Sequence, residues 1–175
     1  AGISQPPGYQ TGPSLGRLVA VSTESSGLQE STATFYTYDI GGRITRSSQI
    51  LDGQPYTTTT VYNEASLPTR HNYPSSRIVS HLYNNAGQLT DIATQNQFIS
   101  QQNSYTASGS LSSQRLGNGL FHQIQYNSRL QPTSISLGST LGGSDKLKLD
   151  YNYSQYDLSS NQAPSLSTNE SQNNG

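Results

Sequence analysis

The groups in this chain that could move a proton or hold a metal are few and scattered. Three histidines, His71, His81 and His122, stand 10 and 41 residues apart. None has the His-x-x-x-His spacing that sets two imidazoles on one helical face for a metal. Cysteine is absent, which removes thiolate ligands, a thiol nucleophile and any disulfide framework. The 10 acidic residues are spread along the chain; a glycosidase needs two carboxylates about 5 to 9.5 Å apart, and no pair is marked out for that. Asp39 followed by Arg43 is the nearest approach to an acid–cation site. An Asp that opens a turn caps that turn, and an Arg just beyond it covers a neighbouring strand, so a structural role is expected for both. Gly117-Asn118-Gly119 lacks the glycine frame and the Lys of a phosphate loop and reads as a tight turn. The expectation is therefore a non-enzyme with no catalytic, metal or cofactor-binding residues and no cofactor.

Only 30% of the 175 residues are hydrophobic and 11% charged, with a net charge of −1. Ser, Thr, Asn and Gln dominate, and 12 Tyr supply most of the aromatic surface. A thick apolar core is excluded, and so is a strongly charged disordered tail. The balanced charge gives no footprint for nucleic acid. No apolar run approaches the roughly 20 residues of a helical membrane span, so no membrane insertion is expected. The two formal glycosylation sequons, at Asn152 and Asn169, read as chance.

Helix formers are poorly represented, and period-2 stretches are plain instead. Residues 146–153 alternate polar and apolar, Leu120, His122, Ile124 and Tyr126 share one face, Thr57–Tyr62 is β-branched, and Ile78–Tyr83 is a further candidate strand. Most of these strands end in Tyr, followed by a turn-like string. Tyr38-Asp39-Ile40-Gly41-Gly42-Arg43-Ile44, Tyr62-Asn63 through Pro68, Tyr83-Asn84 through Gly87 and Leu89, Tyr105 through Gly109 and Leu111, and Tyr126-Asn127 through Pro132 align in one frame. The Tyr-to-Tyr spacings are 24, 21, 22 and 21. A period in this range signals a repeat architecture. The string has a mechanism: Tyr closes a strand on its buried face, Asp or Asn bonds nearby backbone amides, Gly supplies positive φ at the fourth position after Tyr, and an aliphatic residue two further on starts the return strand. Ser66 and Leu130 stand where Gly is expected, which leaves room for a different turn type in those copies. A first partial copy, Gly16-Arg17-Leu18-Val19, has Gly12 in place of its Tyr.

The string Tyr38, Asp39, Gly42, Arg43, Ile44 resembles the signature of the YD-repeat, or Rhs, family. Asn72 through Val79, Leu116-Gly117-Asn118-Gly119-Leu120 and Tyr126 through Ile135 resemble recurring phrases of bacterial Rhs proteins. The resemblance spans residues 15–158. It implies an all-β fold in which antiparallel hairpin repeats form a spiralling ribbon, an open segment of a shell related to those of teneurins and toxin complexes. It further implies a non-enzymatic, secreted or cell-surface role, enclosing or presenting cargo such as a C-terminal toxin, with a historical link to carbohydrate binding.

The domain expectation is an irregular lead over 1–14, a YD-repeat β-ribbon of five to six hairpins over 15–158, and a polar tail over 159–175 that reads as the start of a truncated further repeat. With no Met at position 1, the chain reads as a segment cut or processed from something longer. The repeat residues Tyr38, Asp39, Gly42, Arg43, Tyr62, Asn63, Tyr83, Asn84, Gly87, Tyr105, Gly109, Tyr126 and Asn127 are assigned a structural role, since packing in register needs regular spacing and binding does not. Tyr36, Tyr56, Tyr73, Tyr151 and Tyr156 fall outside the register and are the candidates for stacking on a sugar. Expected partners are other repeats of the parent chain or copies of itself, with glycans or an enclosed toxin as further candidates. Alternative readings are a carbohydrate-binding adhesion module and a self-assembling fibre subunit.

Overall fold

The computed structural model describes residues 5–23 and 32–153. Every regular element in them is a β-strand. The strands are β1 (Ala20–Thr23), β2 (Thr32–Tyr38), β3 (Ile44–Leu51), β4 (Gln54–Tyr62), β5 (Pro68–Asn72), β6 (Ile78–Tyr83), β7 (Leu89–Thr94), β8 (Phe98–Tyr105), β9 (Leu111–Leu116), β10 (Phe121–Tyr126), β11 (Pro132–Gly138) and β12 (Leu147–Asp150). The chain forms two compact units, 1–81 and 82–175, the division falling inside β6. In both, strands pair antiparallel with their neighbours in sequence, as successive hairpins in an open sheet. Tyr156 and the 159–175 tail lie outside the described residues. The alternation read over 146–153 shortens to the four residues of β12, where Leu147 is exposed and Leu149 half-buried.

The hairpin turns repeat one geometry. In the copy at Tyr38, the Asp39 amide donates to the Arg43 carbonyl at 3.0 Å and the Gly42 amide to the Asp39 carbonyl at 2.9 Å. The same pair of bonds closes the turns that begin at Asn63, Asn84, Thr106 and Asn127. Such a turn needs its fourth residue in the left-handed region. Gly42, Gly87 and Gly109 have φ of 79°, 76° and 85°, and Ser66 and Leu130 adopt 62° in the same place. The two copies without Gly therefore use the same turn type, not a different one. The two backbone bonds and the Asn cap hold a side chain where only glycine is at ease, at a cost of about 1–2 kcal/mol. The loop leaves an extra residue in the return strand, so the register shifts at Tyr38, Tyr62, Tyr105 and Tyr126 alike.

Apolar burial is thin. The first unit has one small cluster, Ala33, Phe35 and Ile50. Its lid is the lead, whose described residues 5–14 carry no regular element but are well tied. Tyr9 sits edge-on to Phe35 with ring centroids 5.1 Å apart. Its hydroxyl lies 2.9 Å from the Val19 carbonyl and 3.2 Å from that of Tyr36. Arg46 donates to the carbonyls of Gly8 and Pro7, and Thr37 Oγ1 to that of Gln10. The most enclosed side chain is polar: Ser48 shares a 2.8 Å hydrogen bond with Thr57 Oγ1 across β3 and β4. In the second unit the buried side chain is again a serine, Ser100, within 2.7 Å of Asn103 Oδ1 and 2.9 Å of Gln114 Oε1. With so little apolar area, satisfied polar ladders must carry much of the cohesion.

Turn chemistry gives a graded prediction. Gly42→Ala meets both the φ penalty and the Arg17 guanidinium, which occupies the space a Cβ would need, whereas a Cβ on Gly109 meets open space. Gly109→Ala should cost about 1 kcal/mol and Gly42→Ala more. Leu130→Gly should be neutral or stabilising by up to about 1 kcal/mol, since its side chain is 54% exposed and strained. Urea unfolding midpoints of the three variants check the order.

Candidate functional site

The repeated tyrosines form one recurring contact. Each closes a strand, half-buried, and reaches back to the copy before it. Tyr38 donates its hydroxyl to the Leu18 carbonyl at 2.7 Å, Tyr62 to Ile44 at 3.0 Å, Tyr105 to Leu89 at 2.7 Å and Tyr126 to Leu111 at 2.9 Å. Three of the acceptors, Ile44, Leu89 and Leu111, are the first residues of the return strands β3, β7 and β9, and the fourth, Leu18, lies two residues before β1. The cross-strand register explains the regularity: Val61 extends the β3–β4 pairing to lie opposite Ile44, and Gln125 extends β9–β10 to lie opposite Leu111. The next residue, Tyr, then leaves the ladder at the bulge with its ring over the neighbouring strand. Tyr83 closes β6 at the equivalent place, its hydroxyl pushed above the ordinary tyrosine value by burial. Beyond β12 the ladder runs on by one bond, from the Tyr151 amide to the Thr133 carbonyl, and Tyr153 after it is exposed.

A second contact joins copies in the first unit. The Arg43 guanidinium lies 4.8 Å from the centre of the Tyr62 ring, and Arg17 lies 5.6 Å from that of Tyr38. Arg43 Nη1 also donates to the Asn63 carbonyl and Ser66 Oγ, both 3.1 Å away in the next turn. Asp39 orients it: Oδ1 accepts the Arg43 amide at 2.9 Å and Oδ2 accepts Nε at 2.7 Å. The amide bond first, and then the guanidinium, hold the Asp39 carboxyl below its ordinary value against the opposing effect of burial. Asn63, Asn84 and Asn127 cap their turns through Oδ1 to the amides of Leu67, Gln88 and Gln131. These are the copies in which Leu, Gln and Gln replace the Arg.

The described off-register tyrosines stand on different elements. Tyr36 is half-buried mid-strand on β2; Tyr56, 49% exposed, lies on β4; Tyr73, 43% exposed, opens the turn between β5 and β6; and Tyr151 follows β12 in the second unit. Tyr36 and Tyr56 share a face of the first unit, because Tyr36 pairs with Ser47 and Tyr56 with Gln49. Among the described residues no group of three or more His, Asp or Glu is placed to hold a metal. The structure does bring His71 and His81 together, with ring centroids 5.3 Å apart, from consecutive strands. Their ten-residue separation gave no hint of this, since it becomes proximity only once the 73–77 turn is known. His122 lies elsewhere, with Nδ1 3.2 Å from Gln114 Nε2. Tyr9, Arg17 and the acceptor carbonyls also escaped sequence reasoning; the Gly16-Arg17-Leu18 fragment of the motif was the available signal for Arg17. In the loop after β11, Asp145 accepts the Ser139 amide and hydroxyl, both at 2.7 Å, which with Lys146 brings its carboxyl down to about 2.

This architecture has counterparts among solved structures. A crystal structure of TcdB2-TccC3 without its hypervariable C-terminal region matches 71% of this chain with a TM-score of 0.61 at 18% identity. The Photorhabdus luminescens Tc holotoxin pore matches 71% with a TM-score of 0.62 at 18% identity, and TcdB2-TccC3 itself matches 79% with a TM-score of 0.60 at 15% identity. The likeness is one of fold. The chain spans 7%, 7% and 10% of the length of those three chains. No protein-family model and no curated protein matches the sequence.

The inter-repeat contact predicts a pattern of mutational costs. Tyr62→Phe loses one part-exposed hydrogen bond and should cost about 0.5–1.5 kcal/mol. Arg43→Ala should cost about as much again, through its lost ring and turn contacts. A Tyr62/Arg43 double-mutant cycle should show coupling, because the two groups touch, while Tyr62 and Tyr126 should be additive. Equilibrium urea unfolding measures all of these.

Proposed function

We propose that this chain is a wall segment of a YD-repeat, Rhs-type shell, a non-enzymatic scaffold that encloses or presents cargo. The observation that carries this reading is the repeated hook. Four copies make the same hydroxyl-to-carbonyl bond to the copy before, so each added hairpin offers the next one an identical seat. A unit built this way extends without limit and needs no thick core, which suits a thin wall. The matching solved structures are of a toxin complex, and they support a shell-like role and association with other repeat or toxin components. A secreted or surface-exposed location follows from that role; no helix among the described residues is long and apolar enough to cross a membrane.

Assembly of copies is favoured over reading of glycans by one feature. The strand at the end of the described residues, β12, has one ladder neighbour, β11, and the first strand, β1, has β2. Sheet edges of this kind accept strands from another chain. The β12 edge carries Lys148 and Asp150, paired at 2.8 Å, which moderates this recruitment.

The test is sedimentation of the chain across a concentration series, beside a glycan array. The expected outcome is reversible, concentration-dependent association with a blank array. A monomer at every concentration that binds a glycan, with binding lost in Tyr56→Ala, would replace the wall reading with a sugar-binding one.

A further inference from the structure

We propose that His71 and His81 form an acid-sensitive latch that holds β5 against β6 at neutral pH and releases it when His81 protonates. The inference stands apart from the shell reading and needs only the geometry of the first unit. His71 pairs with Val79 across the β5–β6 ladder, and His81, two residues on, lies on the same side as its diagonal neighbour. The rings meet edge to face at 86° with centroids 5.3 Å apart. Neutral imidazoles pack well in this way; two imidazolium ions at that separation repel.

The two rings are unequal. His71 Nδ1 lies 3.1 Å from Thr60 Oγ1, a hydroxyl that can donate to a neutral ring or accept from a charged one. His71 therefore keeps a partner in either state. His81 Nδ1 is enclosed and meets no hydrogen-bond partner. An unprotonated ring nitrogen tolerates that, whereas an imidazolium N–H there would be a buried donor without an acceptor. His81 is the group that protonation expels.

Among the described residues, the strands of the first unit on either side of the pair supply no carboxylate. β4, β5 and β6 contain no Asp or Glu at all. The groups on the histidine side are Thr60 and Tyr62 from β4, Tyr73 just after β5, and Tyr83 from β6, hydroxyls and not carboxylates. Arg77, four residues before His81 and about 13 Å along the strand, adds a like charge. Arg70 lies on the opposite side, its Nε bonded to Asn72 Oδ1. On β7 the one ionisable residue is Asp91, whose Oδ1 accepts the Gln102 amide.

The sign follows. Burial first, and His71 second, hold His81 below its ordinary value of 6.5. The unfolded chain therefore binds the proton more readily, and stability is full above about 6.5 and falls as the pH drops toward the folded-state value. The carboxylates Asp39, Asp145 and Asp150, held below their ordinary 3.8, lose their contribution only in a much more acidic window. The two effects separate along the pH axis.

The experiment is amide hydrogen exchange by NMR on the full chain from pH 7.5 to 5, corrected for intrinsic exchange. The open population of β5 and β6 amides should rise below pH 6.5 by up to about tenfold per pH unit, the limit for one proton taken up on opening. His81→Gln should flatten this rise, His71→Gln should weaken it, and His122→Gln should leave it unchanged. A flat wild-type profile, or an unaltered rise in H81Q, would overturn the proposal. Should H81Q not fold, the wild-type imidazole titration decides: a His81 midpoint below 6.5 supports the latch, and one at or above it refutes it.

Discussion

A tyrosine hydroxyl reaching back to a backbone carbonyl is the contact on which the rest of this molecule depends. A hairpin of two six-residue strands hides too little apolar surface to be stable alone. Tying each hairpin to its predecessor at a fixed point solves the problem of order as well as of stability. The hook selects a carbonyl at the start of a return strand or just before it, and the bulge at each Tyr aims the ring there. The turn, the bulge and the hook are thus one device: shifting the register by a residue would send the ring to the other face. The hydroxyl bond is worth only about 1 kcal/mol in isolation, and its influence comes from recurrence.

The same economy explains the interior. Where another fold would stack leucines, this one pairs Ser48 with Thr57 and sets Ser100 between Asn103 and Gln114. Polar ladders satisfied by direct partners need little volume, so the sheet stays thin. Enclosed polar atoms that lack a partner then become the points of vulnerability, and His81 Nδ1 is one of them.

Much of this was legible in the sequence, because the repeat writes the same physics several times. The strand-ending tyrosines, the capping Asn residues and the glycines at positive φ follow from local chemistry. Ser66 and Leu130 resisted local reading because repeat geometry overrides the preference of single residues. The two-residue turn at Asp52-Gly53, where both residues have positive φ, is a hairpin signal that the sequence carried openly and the tyrosine frame overlooked. What could not be read was tertiary: the lead folding over Phe35 through Tyr9, the Arg43 guanidinium crossing to the Tyr62 ring, and the meeting of His71 with His81. Each depends on which strands lie side by side, and sequence spacing alone does not encode that.

The most direct test of the central claim is to observe the four hydroxyl protons themselves. In NMR spectra of the chain, the hydroxyl protons of Tyr38, Tyr62, Tyr105 and Tyr126 should exchange slowly with water and show Overhauser contacts to Leu18, Ile44, Leu89 and Leu111 in turn. Hydroxyls that all exchange at the solvent rate, on rings with no contact to the preceding return strand, would contradict the account.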